Sequence, residues 1–170
     1  MRLLSSPEPD FLSSEQRAQA AVIFEALLPG SAGAPGASDA GAVDYLDSQL
    51  TRDPASYYEV QGWRDLYTDG LGALDAAARQ GNGRSGLADM DHEDVTALLG
   101  QLQRGEVGGL PEGLDQKRLF TTMRNHCIEG CFADPRWRGN REAVMWRWLG
   151  SHGPPEDFHR GPPAEVTHGV

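Results

Sequence analysis

The sequence predicts an all-α protein, a small irregular bundle of about five to six helices with long loops and an irregular C-terminal tail. Three observations predict it. Apolar residues recur three and four apart through several segments, start and stop signals bracket those segments, and no convincing period-two run marks a strand.

Ser13-Ser14-Glu15-Gln16 has the form of a capping box, with Ser13 accepting from the third helical amide and Gln16 reaching back. The helix it opens carries Ala18, Ala21, Val22, Phe24 and Leu28 as its apolar stripe, and Pro29-Gly30 stops it. The stretch GSAGAPGASDAG, residues 30–41, is expected to be a flexible glycine-rich connection, with Asp39 capping a second helix that bears Val43, Leu46 and Leu50. Asp53-Pro54 is a strong start signal, since aspartate caps well and proline fits the first helical position. From there Trp63, Leu66, Tyr67, Gly70, Leu71, Leu74 and Ala78 make one stripe to about Gln80, the longest helix, ended by Gly81-Asn82-Gly83.

Asp91, with Asp94 three residues on, starts a helix with Val95, Leu98, Leu99 and Leu102, and the loop GEVGGLPEGL breaks it. Asp115 heads the next, whose face includes Leu119, Phe120, Met123, Cys127 and Cys131 and which closes at Asp134-Pro135. Asn140 is expected to cap a last helix bearing Val144, Trp148 and Leu149. A length of 170 residues suits one domain, here residues 11–150, between a flexible start (1–10) and a proline-rich tail (151–170).

A net charge of −10 argues against nucleic acid as a partner, because such affinity comes mainly from Lys and Arg displacing counterions. The charge is uneven. Residues 1–100 hold 16 acids against 6 bases, whereas residues 101–170 hold 9 of each. No stretch approaches the roughly 20 apolar residues a membrane helix needs, and the first ten residues lack a signal peptide's pattern, so a soluble cytoplasmic chain is expected.

The stretch HCIEGCFADPRWRGN, residues 126–140, concentrates the chemistry-bearing side chains. On a helix, His126 and Glu129 share one side and Cys127 and Cys131 the next, so four metal ligands do not converge from this segment, and paired CxxC knuckles are missing. Cys127 and Cys131 are therefore expected to be small core residues, with His126 and Glu129 partly buried and hydrogen-bonded. A stand-alone metal- or thiol-dependent protein using these four is the alternative. The cysteines sit late in a helix, where the carboxyl end disfavours thiolate. No GxSxG, HExxH or phosphate loop occurs, and the pairs Asp44/Asp47 and Asp91/Asp94 read as helix-start charges on solvated faces. What remains is PRWRGNREAVMWRW, residues 135–148, with three of the four tryptophans and four arginines. Trp and Arg are enriched in interface hot spots, so the patch points to a protein partner. The competing reading puts Trp146 and Trp148 in the core and pairs the arginines with the acidic first half. Trp137, on a turn, is the hardest to place in a core.

The run His126-Cys127-Ile128-Glu129-Gly130-Cys131-Phe132-Ala133-Asp134-Pro135, then Gly139-Asn140-Arg141 and Trp146, resembles the H-x-x-E-G-x-F-(A/S)-D-P-x-x-G-G-N-(R/K) signature of the gluconate 2-dehydrogenase subunit 3 family. Leu12 to Gln16, Leu28-Pro29-Gly30, Ala40 to Asp47, and Trp63, Tyr67 and Leu71 to Asp75 are similar too, so the resemblance spans roughly residues 11–150. Arg138 stands where the family has a second glycine, and the usual G-Y-P-G ending is Gly150-Ser151-His152-Gly153-Pro154 here.

The resemblance implies a non-catalytic small subunit that binds, stabilises or chaperones a large flavoprotein of the glucose-methanol-choline (GMC) oxidoreductase type acting on sugars or glycosides, often at the 3-hydroxyl. FAD and the catalytic histidine would belong to that partner, with no cofactor or metal on this chain. Family members commonly begin with a twin-arginine signal, which Met1-Arg2-Leu3-Leu4 lacks, so the expectation is a cytoplasmic complex, or export on the partner's address. The expected partner surface is Phe132, Asp134, Pro135, Arg136, Trp137, Arg138, Asn140, Arg141 and Trp146.

Overall fold

The computed structural model describes residues 10–81 and 86–151. Asn82-Gly83, residues 1–9 of the expected flexible start and nearly all of the proline-rich tail lie outside the described residues. Within them the chain forms seven α-helices and no strand beyond an isolated bridge between Ser31 and Ala34.

Helix α1, Ser14–Leu27, opens with the expected capping box: Ser13 Oγ accepts from the Gln16 amide at 3.2 Å, and the Ser13 amide donates to Gln16 Oε1 at 3.0 Å. Its buried face differs from the expected stripe. Gln19, Ala20, Ile23 and Phe24 are buried, while Ala18 is exposed and Ala21 and Val22 half-buried. Alanines at 18, 20, 21 and 26 stand on several sides of the helix and blur the period.

The glycine-rich stretch is a built corner, not a flexible connection. Glu25 Oε1 accepts from the Gly30 amide at 2.7 Å and Oε2 from the Ser38 amide at 3.0 Å, clamping both ends. Burial pulls the Glu25 pKa up, and those amide bonds outweigh it, holding the carboxylate below its ordinary range. A Cβ on Gly36 would stand 2.3 Å from the Gly30 nitrogen, so this close approach requires glycine. A short helix α2, Ala37–Ala40, follows, and Asp39 lies inside it, turned back to the Gly36 amide at 2.8 Å. The next helix, α3 (Ala42–Leu50), starts instead from Gly41, whose φ of 69° swings the chain between the two.

Asp53-Pro54 starts a turn and not a helix. Asp53 is satisfied there by the Ala55 amide at 2.9 Å and Ser56 Oγ at 3.2 Å, a local competitor of helix initiation. Helix α4, Glu59–Gly81, begins six residues later and buries the expected Leu66, Tyr67, Gly70, Leu71, Leu74 and Ala78, with Trp63 packed on the core's edge. Asp91 caps α5, His92–Arg104, and Asp115 caps α6, Gln116–Phe132, each accepting at 2.9 Å from the amide three residues on. Single 3-10 turns occupy Leu87–Asp89, Pro135–Trp137 and Arg141–Ala143, and α7 is Val144–Trp148.

Helix α6 runs through the centre, most extensively against α3 and α5 and also against α1, α2 and α4. Its expected face, Leu119, Phe120, Met123, Cys127 and Cys131, is buried throughout. Gly70 lets α4 approach: a Cβ there would sit 2.7 Å from Leu119 Cδ1. The core of Ile23, Phe24, Leu46, Leu50, Tyr67, Leu71 and Leu74 completes the packing, each large side chain contributing on the order of 2 kcal/mol by burial.

Candidate functional site

The corner after α6 is fixed from within. Gly130 meets the start of α3 so closely that a Cβ would lie 3.0 Å from Ala42 Cα and from its carbonyl oxygen. The chain turns back onto the same spot, where the Asn140 amide donates to the Gly130 carbonyl at 2.7 Å. Asn140 Oδ1 in turn accepts from the Met145 amide at 2.9 Å, and its carbonyl accepts from the Ala143 amide at 2.7 Å. Four non-glycine residues here, Arg138, Asn140, Glu142 and Ala143, hold positive φ of 69°, 41°, 53° and 56°. Such left-handed conformations cost of order 1 kcal/mol or more each and persist where surrounding contacts dictate them. Here Arg138 closes the Pro135–Trp137 turn with its amide on the Pro135 carbonyl at 3.1 Å, and the bonds of Asn140 to Gly130, Ala143 and Met145 hold the rest.

Asn140 is itself 0% exposed, so it holds the corner from inside and cannot touch a partner, contrary to its place in the expected surface. The rest of that surface divides. Arg136 chelates Asp134 through Nε at 3.1 Å and a terminal nitrogen at 3.0 Å, while Asp134 Oδ1 caps the turn from the Arg136 amide at 3.0 Å. Arg138 lies 3.9 Å from Asp10, and Arg141 donates to Asp44 at 2.7 Å. Pro135 is half-buried at the head of the turn. Trp146 is half-buried and donates to the Phe132 carbonyl at 3.1 Å, leaving Phe132 exposed. Trp137 is 51% exposed.

Neither tryptophan of α7 fills the core. Met145 does so, and Trp148 lies exposed with its indole N–H on the Gly33 carbonyl at 3.0 Å, beside an exposed Leu149. The paired carboxylates of α3 also differ from expectation. Asp47 is fully buried and accepts from the Leu12 amide at 2.9 Å with Arg17 at 3.7 Å; burial pushes its pKa up, the Leu12 amide opposes that, and neighbouring Asp10 adds to it. Asp44 binds both Arg17 and Arg141.

Around Trp137 the structure gathers residues that sequence patterns did not single out. Ser48 Oγ donates to the Trp137 carbonyl at 3.1 Å, and the Arg52 guanidinium lies over the Trp137 ring at 5.2 Å and over the Tyr57 ring at 4.5 Å. Tyr57, Tyr58 and, on α6, Ile128 are exposed large side chains as well. The adjacent tyrosines, off the helical stripe and beside a proline turn, were the available signal. Tyr45 joins this side by donating to Glu129 at 3.2 Å; burial, then the Glu129 charge, raise its pKa to about 12.

The histidine and cysteine cluster has the opposite character. His126 is buried, its Nδ1 3.0 Å from the Tyr67 hydroxyl and its ring edge-on to Trp63 at 4.7 Å. Burial lowers its pKa to about 4, so the ring is neutral. Cys127 and Cys131 are free thiols at the core; a hydrogen bond with Cys131 and burial push the Cys127 thiol far up, and its Sγ donates to the Phe24 carbonyl at 3.6 Å. Glu129, by contrast, is exposed. Among the described residues no group of three or more His, Cys, Asp or Glu could hold a metal ion, which leaves the metal or thiol alternative without a converging set.

The family model for gluconate 2-dehydrogenase subunit 3 matches residues 14–153. The chain belongs to that family. Its matched span runs from α1 through the whole corner. The family is a subunit of a multisubunit dehydrogenase, an oxidoreductase, in keeping with an accessory role. No match was found among curated proteins or among solved structures. No helix of the described residues is long and apolar enough to cross a membrane.

Proposed function

We propose that this chain is the non-catalytic small subunit of an FAD-dependent, GMC-type sugar or glycoside dehydrogenase, and that it binds and stabilises the large flavoprotein through the corner after α6. One observation carries the reading: an internally braced turn exposes Trp137, near Phe132 at the end of α6, in a member of a dehydrogenase-subunit family. Exposed aromatic side chains on a pre-formed frame lose little conformational freedom on binding, which is how hot spots gain affinity. In this reading FAD and the redox chemistry belong to the partner, the oxidised position is a sugar hydroxyl such as the 3-hydroxyl of a glucoside, and the complex works in the cytoplasm.

The test is co-expression with a GMC-type flavoprotein from the same source, followed by size-exclusion chromatography read at flavin wavelengths and by cell fractionation. Co-elution with a yellow large subunit that is insoluble alone supports the proposal. A flavoprotein that folds and turns over without this chain overturns it. A chain that aids folding and then leaves would give a soluble, active flavoprotein and separate elution, which marks a chaperone instead of a lasting subunit.

A further inference from the structure

We infer that Arg52, held between Tyr57 and Trp137, anchors an acidic side chain of the flavoprotein subunit. This rests on the small-subunit reading and adds to it a residue outside the expected patch and a chemistry for the group that meets it.

Arg52 stands just past the end of α3, two residues beyond Leu50, where its backbone carbonyl accepts from Arg64 at 3.1 Å. Its guanidinium lies over both rings, 4.5 Å from Tyr57 and 5.2 Å from Trp137, and the rings are 48% and 51% exposed. A guanidinium held over ring faces is engaged there without spending its N–H donors, so its fork stays available for a planar carboxylate.

No carboxylate of the described residues pairs with it. Adjacent Asp53 is bound to the Ala55 amide and Ser56 hydroxyl, and Glu129 accepts from Tyr45. The arginines nearby in the corner differ: Arg136, Arg138 and Arg141 each face a carboxylate of this chain. In a protein with 25 acidic and 15 basic residues, Arg52 lies over two half-exposed aromatic rings at this corner with no carboxylate of the described residues paired to it. Charge complementarity therefore specifies what should meet it: a carboxylate, bound at the centre of an aromatic frame that excludes water.

The purified flavin-loaded complex provides the assay. Its rate of subunit exchange against excess fluorescently labelled wild-type chain is measured for wild type, Arg52→Lys, Arg52→Gln and Arg52→Glu, across a sodium chloride series. Arg52→Gln is expected to exchange at least tenfold faster, Arg52→Glu faster still and Arg52→Lys in between, with a salt dependence shallower in Arg52→Gln than in wild type. Thermal melts of the isolated variants should stay close to wild type, since among the described residues the side chain makes no hydrogen bond and only the two ring contacts at a half-exposed surface. Wild-type exchange in Arg52→Gln, or faster exchange with unchanged salt dependence, overturns the inference, the second because the guanidinium then only props the rings. Loss of a self-associated form of this chain in Arg52→Gln, with exchange unaffected, assigns the site to a second copy and also overturns it. Failure of wild-type chain to co-elute with any flavoprotein removes the small-subunit reading itself, a separate result.

Discussion

The Gly130 carbonyl accepts the Asn140 amide at 2.7 Å, and a Cβ on the intervening Gly139 would stand 2.3 Å from that same oxygen. The return of the chain onto α6 thus tolerates no side chain at position 139. Gly139→Ala is expected to open the corner, and Gly130→Ala to force α6 from α3, each costing about 1 to 3 kcal/mol as overpacking does. Urea unfolding of each variant checks the stability. Wild-type midpoints would show that the corner relaxes freely.

Asn140 supplies a left-handed backbone and an acceptor for the Met145 amide, although Ala143, not Asn140, is the N-cap of α7. Asn140→Ala loses both and leaves the buried Met145 amide unpaired, an expected cost of about 2 to 3 kcal/mol. Asn140→Gly keeps the backbone freedom and should recover about 1 kcal/mol of it. Equal melting temperatures for the two variants would assign the whole cost to the lost Met145 hydrogen bond.

Trp137→Ala should leave the fold within about 1 kcal/mol of wild type, since half its surface is already exposed, yet weaken the complex by about 2 kcal/mol or more. Arg136→Ala should weaken it less, because that guanidinium is already engaged by Asp134 in its own turn. Subunit exchange of both variants, side by side, orders them.

His126 ties stability to pH. Its folded pKa is about 4, below the ordinary 6.5, so as pH falls the unfolded chain takes up the proton first. Its contribution is fully present above about 6.5 and declines as pH drops toward about 4, by up to about 3 kcal/mol in total. Urea unfolding at pH 7 and pH 5 should show this slope in wild type and a smaller one in His126→Gln. Equal slopes would place the acid sensitivity elsewhere.

Helix starts were the most legible part of the sequence where the capping side chain had no competing donors nearby. Ser13, Asp91 and Asp115 cap as their spacing requires. Asp53 offered the same signal, but its turn supplied nearer donors, and Asp39 was captured by Gly36 behind it. The face of α4 read correctly because large residues define it, while the alanines of α1 let the register drift. Asn140 could be named from its motif but not assigned to the interior, since its burial depends on Gly130, ten residues upstream. Arg52 carried no signal: its position between two rings is a tertiary fact joining residues 52, 57 and 137.

Asp44 joins Arg17 of the first helix to Arg141 beside the last. A nascent chain can form the Arg17 half as soon as α3 has emerged, but the Arg141 half, and with it the turn bearing Trp137, waits until residues near 145 leave the ribosome. Under the proposed small-subunit role, recognition of that turn doubles as a proofreading of completeness: a truncated chain could build most of a core and still show its partner nothing to hold.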